Sequence, residues 1–121
     1  MGTVTDGAVN IEALAALRCV LGEEFPRLIR DFRVLAAESL LTISAARTHE
    51  DRVALKSSAH ALRGAALNLY SGAVAHQCSL IESKSASHPF PLIDDDIDAL
   101  HTQVSSALAI IDRWLEAQAS D

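Results

Sequence analysis

Hydrophobic residues along this chain return at steps of three and four, and capping or breaking residues bound each run. Ile11, Leu14, Leu17 and Leu21 predict a short helix from an Asn10 cap to about Val20, stopped by Gly22. A longer helix follows from about Glu24 to Arg47, with Phe25, Leu28, Ile29, Phe32, Leu35, Ala36, Leu40 and Ile43 as its apolar side. Pro26 is tolerable there because it falls in the first turn. Arg27, Arg30 and Arg33 lie largely off that stripe, as either an ordinary solvated face or a partner contact. Thr48 to Asp51 form the next break, and Thr48 or Asp51 can cap a third helix ending near Leu69. Ser71 can cap a fourth through about Ser85, buried by Val74, Cys78 and Ile81. Ser83 to Pro91 carries strong breaker chemistry. Asp94, Asp95 and Asp96 then supply a cap and first-turn acids for a last helix to about Ala117, along Ile97, Leu100, Val104, Leu108, Ile111 and Leu115. Short connections favour antiparallel neighbours. The expectation is an all-α protein: an antiparallel four-helix bundle over residues 9–118 with a short additional N-terminal helix, behind a disordered tail over residues 1–8.

The third helix is the unusual one. Leu55, Ala59, Leu62, Ala66 and Leu69 form a continuous stripe for a core. At about 100° per residue, His60 stands roughly 140° from the middle of that stripe. Lys56, Arg63, Gly64 and Leu67 fall on the same side as His60. A glycine inside a helix costs about 1 kcal/mol relative to alanine, so Gly64 needs a reason. One turn after the histidine, it removes a side chain that would crowd a group attached to the ring. Without that purpose, close helix packing would be its ordinary explanation.

Composition narrows the classes. Half of the 121 residues are hydrophobic and few are aromatic, which suits one helical domain. A formal charge of −6 argues against nucleic acid, whose phosphates require a basic footprint. No apolar run approaches the ~20 residues of a membrane span. The N-terminus lacks a signal peptide's apolar core, and Asp6 breaks the myristoylation pattern. Cys19 and Cys78 make neither a C-x-x-C pair nor a zinc framework. A reduced cytoplasmic monomer is the simplest expectation.

The run H-A-L-R-G-A-A-L-N-L from His60, followed by Ala75, Cys78 and Ile81-Glu82, resembles the histidine-containing phosphotransfer (HPt) domain family across nearly the whole chain. Arg63 stands where lysine is commoner, Tyr70 where a glycine usually follows the Asn-Leu pair, and Leu67 where a further glycine is frequent. The resemblance implies a phosphorelay intermediate. His60 would accept a phosphoryl group from a receiver-domain aspartate and pass it to another response-regulator receiver. Arg63 and Lys56 would steady the phosphoryl oxygens, Gly64 and Asn68 would give access or support, and Leu67 and Ser57 would dock the partner. Partners would be receiver domains and a hybrid sensor histidine kinase, with this chain either free-standing or the kinase's C-terminal module.

The residues are chemically consistent with that role. A neutral imidazole is a competent nucleophile near neutral pH, and phosphoryl transfer asks mainly for positioning and charge stabilisation. Arginine donates through a planar fork that keeps its proton. The chain has no glycine-rich nucleotide loop and no Walker motif, so no ATP-dependent kinase activity is expected. No cofactor is expected on this chain, and Mg²⁺ would come with the receiver. His76 and Cys78 do not share a helix face, and His49, His88 and His101 lie in or near separate breaks, so no metal site is expected. The competing reading is a helical adaptor that keeps the bundle and carries no phosphate. Tyr70 and Leu67 keep it open.

Overall fold

The computed structural model describes residues 8–119. Among these lie five α-helices: α1 (Ile11–Leu21), α2 (Phe25–His49), α3 (Arg52–Asn68), α4 (Gly72–Ser85) and α5 (Asp94–Ala119). Single 3-10 turns occupy Gly22–Glu24 and Phe90–Leu92. Helices α2 to α5 form an antiparallel bundle in which each packs on the next and α5 returns to α2. Two ion-pair sets fix that closing interface. Arg33 meets Asp112, and Arg47 lies 3.6 Å from Asp94 and 3.2 Å from Asp98. The early residue of α2 thus pairs with the late residue of α5, as antiparallel packing requires. Arg33 is therefore a tie between helices, not part of a free solvated face. No helix among the described residues is long and apolar enough to cross a membrane.

The sequence places the helix starts well because side chains make them. Asn10 accepts a hydrogen bond from the Ala13 amide at 3.1 Å, and Asp51 does the same for Ala54. Thr48 lies within α2, so Asp51 alone caps α3. Ser71 precedes α4, but its hydroxyl donates to the Ala8 carbonyl at 2.5 Å instead of capping the helix. The Asn10 amide donates to the Tyr70 carbonyl at 2.9 Å, and Val9 between them is buried. Ala8, assigned to a frayed tail, is thus bonded to the α3–α4 junction; residues 1–7 lie outside the described part. The three aspartates fall inside the first turn of α5, after Ile93. There Asp96 accepts from Gln77 and Lys84 of α4.

Helices α2 and α3 end alike. Glu50 (φ 54°) and Tyr70 (φ 57°) take the left-handed conformation that favours glycine. The amides of Asp51 and Ser71 then reach back to the Ala46 and Ala66 carbonyls at 2.9 Å. Tyr70 turns the chain, and its side chain remains 42% exposed.

The core corrects the apolar stripes in one consistent way. On α2 the buried positions are Phe25, Ile29, Phe32, Ala36, Ser39, Ile43 and Ala46. Leu28 and Leu40 only flank them. On α5 they are Ile97, Leu100, Val104, Ala107 and Ile111, with Leu108 and Leu115 at the edge. Small residues hold the centre where helices approach closely, and leucines seal the seams.

Candidate functional site

The middle of α3 is sunk in the core on one side and bare on the other. Leu55, Ala59, Leu62 and Ala66 are fully buried, which fixes the rotation of the helix and sends His60 outward. The imidazole is 65% exposed. Its Nδ1 lies 2.9 Å from Oε2 of Glu82, which projects from the antiparallel α4. A carboxylate only accepts, so Nδ1 carries the proton and donates it. In the neutral ring the lone pair then lies on Nε2.

Glu82 serves a second group. Its Oε1 lies 3.3 Å from Nε of Arg63, one turn beyond His60. Neither atom is aligned for a hydrogen bond, so this contact is an ion pair held by charge. The carboxylate is only 16% exposed, against 39% for Arg63. Partial burial strengthens both contacts relative to those on open surface. Beneath them lies Cys78, whose thiol is pushed up to about 12 by burial, with the Glu82 charge adding and Arg63 opposing. It stays a neutral thiol and a packing residue.

The remaining candidates sort by position. Lys56 and Ser57 join Val53, His60 and Glu82 around a shallow cleft of about 360 Å³. Lys56 has no ion-pair partner among the described residues, so its ammonium is uncommitted. A Cβ built on Gly64 meets no atom within 4 Å, which removes close helix packing as the reason for this glycine. Leu67 is 54% exposed, two turns beyond His60. Asn68 is not brought to the imidazole. It ends α3 two turns away, about 12 Å along the axis, beside a cleft lined by Leu28, Asp31, Phe32 and Leu35 of α2.

Two residues escaped the sequence reading. Glu82 was noted only for its spacing; its role depends on a packing between helices that local periodicity does not show. Val53, 80% exposed, lies two turns before His60 as Leu67 lies two turns after. The seven-residue step was available as a signal. Among the described residues, no three His, Cys, Asp or Glu side chains gather as a metal cluster.

A helical bundle with an exposed, carboxylate-held histidine defines a class, and comparison with known proteins agrees. Residues 27–112 match the Hpt domain family, and the chain belongs to that family, whose role is histidine phosphotransfer in phosphorelays. Among solved structures, it is similar to histidine-containing phosphotransfer protein B (HptB) from Pseudomonas aeruginosa PAO1. The TM-score is 0.85 at 20% identity, over 93% of this chain and 97% of that one. At that identity the likeness speaks for the fold. No curated protein sequence gives a significant match.

Proposed function

We propose that Nε2 of His60 is the phosphoryl acceptor of this Hpt domain, loaded from a receiver-domain aspartyl phosphate and discharged to another receiver's aspartate. The observation carrying this is the contact between Glu82 and Nδ1. It fixes the tautomer in which the exposed Nε2 holds its lone pair. In the forward step that lone pair attacks phosphorus. The bond between phosphorus and the aspartyl oxygen breaks, and the aspartate leaves with the electron pair. The Nδ1 proton stays in place, and the positive charge gained by the ring is met by Glu82. Discharge is the same step reversed onto a second aspartate. Lys56 is placed to meet the phosphoryl oxygens. Arg63 keeps its Nε against Glu82 and has its outer guanidinium nitrogens to offer. Mg²⁺ belongs to the receiver. Val53, Leu67 and the bare backbone at Gly64 form the surface on which the receiver settles, with Ser57 at its edge.

The test is transfer of label from a phosphorylated hybrid-kinase receiver to this protein beside His60→Gln. Acid-labile label on the wild type alone supports the reading. Labelling of both, or of neither while the helical fold is intact, overturns it. In the second case the adaptor reading takes over.

A further inference from the structure

A second concavity lies where α1 crosses the start of α2 and the last turns of α5. It has a volume of about 360 Å³ and is lined chiefly by Arg18, Phe25, Ile29, Arg30, Arg33 and Leu115. Its floor is apolar: Phe25 and Ile29 are nearly inaccessible, and Leu115 packs against the core. Its walls carry three guanidinium groups in a chain whose formal charge is −6. Elsewhere Arg47 pairs with Asp94 and Asp98, Lys84 with Asp96 and Arg63 with Glu82. In the groove only Arg33 is matched so, by Asp112. Arg18 has a weak 3.4 Å contact to Gln118 and lies 5.7 Å above the Trp114 ring. Arg30 has no bonded partner among the described residues.

We propose that this groove binds a small amphiphilic anion, with a carboxylate or phosphate head between Arg18 and Arg30 and a short apolar body along Pro26 and Leu115, above the buried Phe25 and Ile29. Arginine forks suit such heads, and the match of unpaired cations to an apolar floor sets the ligand's two ends. The volume is near the lower limit of roughly 300–1,000 Å³ for small-molecule pockets, which favours a short ligand. The site shares no residue with the His60 cleft.

Trp114 is the chain's single tryptophan. Its ring meets Phe25 edge-on at 5.9 Å beneath Arg18, so it reports on the groove. The experiment titrates the full chain with monomeric octanoate or octyl phosphate, following Trp114 emission and backbone amide shifts. Octanol and octyltrimethylammonium serve as controls. The expected result is a saturable response to the two anions, with shifts centred on α1, the start of α2 and the end of α5. Arg30→Glu should weaken it about tenfold, the loss of one charge-assisted contact. Arg30 is exposed and unpaired, so this variant retains the fold, and its helical spectrum verifies that. No saturable response to either anion overturns the proposal. So does an equal response to octanol, or an undiminished one in Arg30→Glu.

Discussion

Glu82 and His60 are 22 residues apart in sequence and 2.9 Å apart in space, joined across the α3–α4 interface. Charge and acceptor geometry can be separated at this pair. Glu82→Gln keeps an oxygen that can accept from Nδ1 and loses the charge, so phosphotransfer should fall only a few-fold. Glu82→Ala frees the ring to rotate and exchange tautomers, and the rate should fall by about a hundredfold, the scale of a misplaced reacting group. Imidazole nitrogen shifts check the cause: one tautomer in the wild type, a mixture in Glu82→Ala. Equal rates in the two variants would show that the hydrogen bond does not position the ring.

Gly64 should give opposite results for stability and function. With open space around its missing Cβ, Gly64→Ala should raise unfolding free energy by about 1 kcal/mol through helix propensity. Transfer from a receiver should slow in the same variant, because the added methyl stands where the partner approaches. Denaturant midpoints and transfer rates measured together separate the two effects. Unchanged transfer would assign the glycine no part in access.

Tyr70 holds a left-handed backbone at φ 57°. Replacement by glycine relieves about 1 kcal/mol of steric cost, less the loss of a partly exposed ring. Tyr70→Gly should therefore melt a few degrees higher. A lower melting temperature would mean that the ring's contacts outweigh the strain.

The two cysteines should respond differently to alkylation. Cys19 is exposed and Cys78 buried, so a thiol reagent near pH 8 should label Cys19 alone in the native protein and both in urea. The buried thiol of Cys78 holds its proton up to about 12, whereas the unfolded chain releases it near 9.0. Between those values the unfolded state binds fewer protons, so stability is complete below pH 9 and declines as pH rises toward 12. Cys78→Ala should flatten that decline. A slope that survives the substitution would place its origin elsewhere.

How much of this was legible in the sequence depends on the range of the interaction involved. Helix starts at Asn10 and Asp51 were readable because the caps bond within three residues. The outward direction of His60 was readable because it depends on one helix's periodicity. Ser39 and Ala107 were not, since hydrophobicity favours the neighbouring leucines and only close helix approach selects a small residue. Glu82 was visible as spacing alone. Its contact needs the relative rotation of two helices, which neither helix encodes by itself. The bond from Ser71 to Ala8 was hidden because a serine before a helix reads as its own cap.

The way the bundle closes also bears on how it forms. Three of the four interfaces in the ring join consecutive helices, with two to eight residues between them. Such contacts cost little loop entropy and assemble early. The α2–α5 seam is different, because Arg33 meets Asp112 across 79 residues of sequence. Of the four interfaces in the ring, that seam therefore closes the longest stretch of chain and carries the largest loop-closure cost.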